Sequence, residues 1–214
     1  MPAAPTHDLP AAAFRRLDES PDEDFYAAAR LVTHIDDAAV AAVTQLYREF
    51  FPVGGGVLDL MSSWISHLPP DVSYSRVVGL GMNEAELRAN SRLDDWLVQN
   101  LNENPALPFA DAAFDAVGIC VSIQYLTDPV VVLREVGRAL RPGAPLVITF
   151  SNRCFPTKAV AAWQTLGDRE HAQLVAHYLR AAGNWEDIQA LDRSPRSGRS
   201  DPLFAVAGRR RKAF

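Results

Sequence analysis

Short apolar runs alternate with helix-period segments along most of this chain. Five runs of four to seven mostly apolar residues lie between residues 57 and 150, and helical or turn-rich segments separate them. Two further runs near the C-terminus are joined by a Ser/Arg/Gly/Pro stretch with no helical period. The predicted strands are Val57–Leu60, Arg76–Leu80, Trp96–Gln99, Ala116–Ser122, Pro145–Phe150, Trp185–Leu191 and Leu203–Ala207.

Strands separated by helices favour parallel β-α-β units with right-handed crossovers. The last two strands have no helix between them, so we predict that they pair antiparallel. The predicted fold is therefore α/β, with a mostly parallel seven-stranded sheet and a terminal antiparallel hairpin. The predicted helices of this core lie near residues 84–90, 129–140, 156–166 and 168–182, and Gly183 is suited to end the last of them.

The N-terminal part has a different pattern. Four prolines interrupt any periodicity in residues 1–22, which we predict to be a flexible segment. Residues 23–52 are predicted to be cap helices, divided at Asp36-Asp37, because apolar residues recur there at helical spacing. One domain is expected over residues 23–214, with its core at 57–208.

Composition adds mainly exclusions. The chain has 214 residues, of which 48% are hydrophobic and 22% charged, as in ordinary globular domains. A net charge of −5 does not favour nucleic acid. No apolar run has the roughly 20 residues that span a bilayer, and no secretory signal is recognisable. Two cysteines make no disulfide framework, no cluster has metal-ligand spacing, and we expect a cytoplasmic protein.

Three motifs follow one another at the spacing of the predicted strands. Val57–Leu60 is an apolar strand that carries an acid, Asp59. Residues 107–117 read Leu-Pro-Phe-Ala-Asp-Ala-Ala-Phe-Asp-Ala-Val, and residues 133–143 read Leu-Arg-Glu-Val-Gly-Arg-Ala-Leu-Arg-Pro-Gly. Together they resemble the class I S-adenosylmethionine (SAM) methyltransferase superfamily, near its type 11 branch, over about residues 25–208. The resemblance implies a Rossmann-like sheet and SAM as cofactor.

In such sheets the ligand lies at the carboxyl ends of the strands. The resemblance implies that Asp59 meets the cofactor's ammonium group, and that Asn100 stands where a family acid meets the adenine amine. Asp59 could instead satisfy backbone donors of its own turn. It also implies that Gly81 occupies the position of the acid that binds the ribose hydroxyls. The candidate cofactor-binding residues are Tyr26, Arg30, Asp59, Met61, Ser62, Ser63, Gly81, Met82, Asn83, Asn100, Leu101, Ser122 and Gln124.

The loop after the first strand departs from the family pattern. Its three glycine positions hold Met61, Ser63 and Ile65. Glycine allows a positive φ and close backbone approach, whereas a β-branched residue is poorly suited to that conformation. We therefore expect the loop to run differently or the ligand to lie further out. Pro69-Pro70 should limit the helix that follows to about two turns.

A glycine at position 81 also removes a bidentate acceptor. A lost charge-assisted hydrogen bond costs about 1.5–3 kcal/mol, which weakens a ligand roughly 10- to 100-fold unless another group replaces it. Asn83 or backbone carbonyl groups of the same turn could supply the acceptor.

Candidate chemistry comes from a few side chains. Tyr26, Arg30 and His34 are spaced four residues apart, which predicts one stripe of a helix. Arg30 could clamp a carboxylate there or belong to a solvated face. His67 could be a general base or cap a short helix. Tyr125 could contact the reacting groups or pack in the core. Asn152, Arg153 and Cys154 follow the fifth strand and could line an acceptor site.

The main functional hypothesis is a SAM-dependent methyltransferase that acts on a small molecule. No nucleic acid, membrane or metal is implied, and the oligomeric state stays open, with a homodimer as one option. The alternative is an inactive methyltransferase-fold protein that binds SAM, another adenosyl ligand or a protein partner. A dehydrogenase is disfavoured by Asp59 and by the lack of a Gly-x-Gly-x-x-Gly motif.

Overall fold

The computed structural model describes residues 9–196 and 198–212. Its strands form one seven-stranded sheet in the order β3-β2-β1-β4-β5-β7-β6. The strands are β1 (Gly56–Ser62), β2 (Arg76–Gly81), β3 (Asp95–Val98), β4 (Ala116–Cys120), β5 (Pro145–Phe150), β6 (Trp185–Asp192) and β7 (Phe204–Arg210). The helices are α1 (Asp22–Tyr26), α2 (Asp37–Phe50), α3 (Glu84–Ala89), α4 (Pro129–Ala139), α5 (Ala161–Gln164) and α6 (Asp168–Ala182).

The first five strands are parallel to one another. β7 lies between β5 and β6 and is antiparallel to both. This confirms the predicted α/β fold, the mostly parallel sheet and the terminal antiparallel pair.

Alternate residues of the central strands face two apolar layers. Leu58 and Leu60 of β1 pack in the layer that contains α4 and α6. Val57 packs in the opposite layer, against the buried face of α2 that carries Val43 and Tyr47. Because both faces of the sheet are covered, the central strands are apolar nearly throughout. Gly183 ends α6 in the left-handed conformation, as predicted.

The segment before α1 is held more firmly than its prolines indicate. Residues 1–8 lie outside the described residues; from residue 9 onward the segment contacts the core, and its flexibility stays a prediction. Phe14 is buried in the main core. The Ala161 amide donates to the carbonyl of Arg15, and the Asp18 amide donates to that of Thr157.

The first cap helix is much shorter than predicted, while the second is present as α2. Only Asp22–Tyr26 is helical, and residues 27–36 are not. The backbone groups that a helix would pair internally are bound by distant side chains instead. Asn83 binds the carbonyls of Tyr26 and Ala27, and Trp64 binds that of Val32. We call residues 22–36 the strap.

Two other predicted helices are reduced. Residues 63–75 contain no helix, so the prediction of a short helix around Pro69-Pro70 is wrong. The helix expected over 156–166 is only Ala161–Gln164, because the Val160 and Ala161 amides donate to the carbonyls of Gln124 and Arg15. No helix in residues 9–196 and 198–212 is long and apolar enough to cross a bilayer.

Candidate functional site

A cavity of about 300 Å³ opens at the carboxyl ends of β1, β2 and β4. Its position follows from the sheet, because parallel strands end at the same edge and the chain order reverses between β1 and β4. The strap covers one side. The candidate residues that line the cavity are Tyr26, Arg30, Met61, Ser62, Ser63, Gly81, Met82, Asn83, Asn100, Leu101, Ser122 and Tyr125. Three other candidates, Asp59, His67 and Gln124, are not among the lining residues.

The loop after β1 keeps a glycine-like backbone without a glycine. Met61 has φ 59°, in the left-handed region that costs about 1–3 kcal/mol for such a residue. A register shift between Leu60 and Ser62 then brings Ser62 opposite Gly81 of β2. A Cβ atom on Gly81 would overlap the Ser62 carbonyl oxygen. The course of the loop therefore leaves no space for a side chain at position 81.

Asp59 is enclosed beneath this loop. Its Oδ2 accepts a hydrogen bond from Ser62 Oγ at 2.6 Å and another from Ser66 Oγ. Burial raises the pKa of the carboxyl group to about 6, although the two hydroxyl groups oppose the shift. Asp59 does not itself line the cavity, although Ser62, one of its two donors, does. This geometry gives no support to the predicted contact of Asp59 with a cofactor ammonium group.

Glu86 is a lining residue that the sequence reasoning missed. Asn83 caps α3 by accepting a hydrogen bond from the Glu86 amide at 3.0 Å, which places Glu86 in the first helical turn. The Glu86 carboxylate accepts from the Arg30 amide and from Ser63 Oγ, both at 2.6 Å. The Asn-x-x-Glu spacing predicts a helix start with Glu86 in its first turn, but it gives no signal that the carboxylate lines the cavity.

The β5 side of the cavity is aromatic. Tyr125 Oη accepts a hydrogen bond from the Phe155 amide at 2.9 Å, and burial raises the pKa of Tyr125 to about 12. The Arg30 guanidinium lies 4.6 Å from the ring centre of Phe25 and 5.4 Å from that of Phe155. The ring of His34 meets Phe155 edge to face at 5.2 Å. Tyr26, Arg30 and His34 thus share the cavity, although no helix joins them.

Polar and thiol groups complete the wall at the end of β4. Ser122 Oγ is buried and has no hydrogen-bond partner among the described residues, so it is available to a ligand. Burial raises the pKa of the Cys120 thiol to about 12, which makes a thiolate nucleophile unfavourable. Arg153 and Cys154 also line the cavity, whereas Asn152 is not among the lining residues; an acceptor site there stays a prediction.

Asp22 anchors the strap at the cavity wall. Its Oδ1 lies 2.6 Å from an Arg16 nitrogen and 3.3 Å from Lys158 Nζ. Asn102 donates to its Oδ2 at 2.8 Å. Lys158 is fully buried and also donates to the carbonyl of Ser20 at 2.7 Å. The strap is therefore fixed by charge pairs that were not apparent in the sequence.

His67 is placed away from the cavity. Its burial lowers the pKa to about 4, and its Nδ1 has no partner among the described residues. The structure gives no support to the prediction that this side chain is a general base, and no helix exists there for it to cap. Within the described ranges, no three His, Cys, Asp or Glu side chains come together as metal ligands.

The sheet order and the cavity at the strand ends define a doubly wound α/β protein with a candidate ligand site where the strand order reverses. Residues 54–148 match the family model described as a methyltransferase domain. The matched segment is less than half of the chain and runs from β1 into β5, so the chain is similar to SAM-dependent methyltransferases over that segment.

Two methyltransferases illustrate the similarity to known proteins. The chain is 32% identical over 158 residues to the ubiquinone/menaquinone biosynthesis C-methyltransferase UbiE of Hahella chejuensis, which covers 65% of this chain and 62% of that protein. It is 35% identical over 78 residues to the 27-O-demethylrifamycin SV methyltransferase of Amycolatopsis mediterranei, covering 34% of this chain and 29% of that protein. The chain thus spans less than two thirds of the length of these relatives.

Solved structures support the fold. The [4+2]-cyclase SpnF has a TM-score of 0.63 at 17% identity, covering 86% of this chain and 89% of that one. A SAM-dependent methyltransferase from Mesorhizobium loti has a TM-score of 0.55 at 17% identity, covering 79% and 98%. At these identities the likeness extends to the fold alone.

Proposed function

We propose that this protein transfers a methyl group from SAM to a small-molecule acceptor. The observation that carries the proposal is the cavity at the carboxyl ends of β1, β2 and β4, where twelve of the candidate residues meet. Its volume of about 300 Å³ is in the range of small-molecule sites. SAM would lie along the β1–β2 side, against Ser62, Ser63, Asn83 and Asn100.

The chemistry needs orientation more than a strict catalytic set. The bond between the methyl carbon and the sulfonium breaks as the acceptor atom bonds to that carbon, and S-adenosylhomocysteine leaves. Such a displacement depends on holding the two reactants in line. The strap and the aromatic side formed by Tyr26, Tyr125 and Phe155 would hold the acceptor.

A hydroxyl or amine acceptor must also release a proton. His34 is exposed at the cavity mouth, and partial desolvation of its ring lowers its pKa below 6.5. The lowered pKa favours the neutral imidazole, which can accept that proton. Tyr125 would position the acceptor as a neutral phenol, since burial keeps it protonated.

The names of two relatives support a small-molecule acceptor. One is a biosynthetic C-methyltransferase for ubiquinone and menaquinone, and the other acts on demethylrifamycin SV. We therefore propose a small-molecule acceptor for this chain. The aromatic side of the cavity fits a planar molecule.

The proposal is tested by calorimetric titration of ligand-free protein with SAM and with S-adenosylhomocysteine. We expect micromolar binding of both, and transfer of labelled methyl groups when a panel of small aromatic alcohols, amines and quinols is added. Absence of binding up to millimolar concentrations would refute the proposal.

A second candidate is a protein that binds an adenosyl ligand without transferring methyl groups. It is favoured by the position of Asp59, whose carboxylate accepts hydrogen bonds from two serines and does not line the cavity. A methyltransferase fold can host other chemistry, since one structural neighbour is described as a [4+2]-cyclase. Tight binding of SAM with no methyl consumption across the panel would support this candidate over the first.

A further inference from the structure

Glu86 presents a buried carboxylate to the cavity without a cationic partner. The residue lines the cavity and is 9% exposed. No arginine or lysine of the described residues forms an ion pair with it; its bound hydrogens come from the Arg30 amide and Ser63 Oγ. A buried carboxylate is stable only when donors satisfy it.

Each of these two bonds uses a different carboxylate oxygen. The Arg30 amide binds Oε1 and the Ser63 hydroxyl binds Oε2, both at 2.6 Å. A carboxylate offers about four acceptor positions, so one lone pair on each oxygen remains. The side chain is thus fixed from the strap and from the β1 loop, and it can still accept two hydrogens from a ligand.

The loop that excludes a side chain at position 81 is the same loop that fixes Glu86. The Ser62 carbonyl occupies the space beside Gly81, and the next residue, Ser63, donates to Glu86. The substituted loop, the glycine at 81 and the carboxylate of α3 therefore form one structural unit. An acid at the end of β2 is absent, while an acid five residues further along the chain, in the first turn of α3, is in place.

We propose that Glu86 accepts hydrogen bonds from the ribose hydroxyl groups of the adenosyl ligand. This inference rests on the proposed function, because it takes the ligand to be SAM or its demethylated product. The two free acceptor positions on adjacent oxygens match two neighbouring hydroxyl donors. Asn83 is less suited to this role, since its Oδ1 already accepts from the Glu86 amide and its NH2 group, which binds the carbonyls of Tyr26 and Ala27, cannot accept.

The test combines a substitution in the protein with the removal of one hydroxyl group from the ligand, as in a double-mutant cycle. Calorimetry measures the affinity of wild type and Glu86→Gln for S-adenosylhomocysteine and for its 2′-deoxy and 3′-deoxy analogues. Glutamine preserves the two internal bonds, because its oxygen can accept from the Arg30 amide and its nitrogen can donate to Ser63 Oγ. We expect Glu86→Gln to weaken S-adenosylhomocysteine about 10- to 100-fold.

The decisive quantity is the discrimination between ligands. Wild type should prefer S-adenosylhomocysteine over at least one deoxy analogue by about 10-fold, and Glu86→Gln should lose most of that preference. If Glu86 only held the strap, the substitution would weaken all three ligands equally. That result overturns the inference.

Two controls distinguish ribose binding from a general charge effect and from binding of the ammonium group. Glu84→Gln removes the same charge from an exposed position of α3 and should leave every affinity unchanged. Titration with 5′-methylthioadenosine, which lacks the amino-acid part, tests whether Glu86 binds the ammonium group instead. Equal affinities of wild type and Glu86→Gln for it would overturn the ribose assignment. Failure of wild type to bind S-adenosylhomocysteine would refute the proposed function itself.

Discussion

The carbonyl oxygen of Ser62 fills the space that the first side-chain atom of any residue at position 81 would occupy. The two residues are opposite each other because β1 shifts register after Leu60, where Met61 takes a left-handed conformation. Backbone occupies the space, so a rotamer change cannot relieve the overlap.

Gly81→Ala is therefore expected to destabilise the protein by about 1–3 kcal/mol, the usual range for overpacking a buried site. Gly56→Ala is the matched control on β1, since its added methyl group would meet its nearest neighbour, Asp115 Oδ2, at an ordinary 3.6 Å. Urea unfolding measures both variants. Equal stability of the two variants would contradict the steric argument, as would wild-type stability of Gly81→Asp.

Asp59→Asn should change how stability depends on pH. The folded pKa of Asp59 is about 6 and its ordinary value is 3.8, so between these pH values the native state binds more protons than the unfolded state. Stability from this group is therefore greatest below pH 4 and falls as pH rises to 6. The shift corresponds to about 3 kcal/mol. Asparagine keeps an oxygen for both serine hydroxyl groups and cannot ionise.

The measurement is the difference in unfolding free energy between wild type and Asp59→Asn from pH 4 to pH 7. The variant should gain on wild type by up to about 3 kcal/mol across that window. A difference that stays flat with pH would mean that Asp59 is solvated in the native state.

The sheet and the place of the site could be predicted from the sequence for a physical reason. Both depend on local periodicity, and β-α-β units bring the strand ends to one edge. Gly81, Asn100 and Ser122 line the cavity for that reason, and their role in cofactor binding stays a prediction. The chemistry of Asp59 was not predictable, because it depends on hydroxyl groups three and seven residues further along a loop of unknown course.

The strap shows where local patterns fail. Its apolar spacing predicted a helix, yet Leu31 is 55% exposed and Val32 is 57% exposed. The Arg30 amide instead binds Glu86, 56 residues away in the chain. Tertiary contacts of that kind override helix propensity and leave no periodic signal.

Lys158→Met should destabilise the fold by about 2–4 kcal/mol, since removing one partner of a buried ion pair leaves a charge without compensation. Lys158 is fully buried and lies 3.3 Å from a carboxylate oxygen of both Asp18 and Asp22. Asp22 keeps its Arg16 partner, so the lower part of the range is expected. The control is Lys212→Met, which changes the chain's other lysine at an exposed position and should cost less than about 0.5 kcal/mol.

Thermal and urea unfolding of the two lysine variants decide between the outcomes. Similar stability of Lys158→Met and Lys212→Met would show that the buried charges contribute no more than a solvated lysine. Hydrogen exchange of the strap amides should increase in Lys158→Met, because Asp22 begins the strap.

His67 and His34 should titrate at different pH values and affect different properties. Burial lowers the pKa of His67 to about 4, so the unfolded state binds more protons between pH 4 and 6.5. The stability that neutral His67 contributes is present above pH 6.5 and lost as pH falls to 4, by about 3 kcal/mol. NMR titration of the two imidazole rings, assigned with His34→Gln and His67→Gln, should give His67 the lower midpoint.

With an identified acceptor, His34→Gln should lower the rate of methyl transfer about 100-fold or more, whereas His67→Gln should leave that rate unchanged at pH 7.5. The reverse pattern of rates would return the role of base to His67.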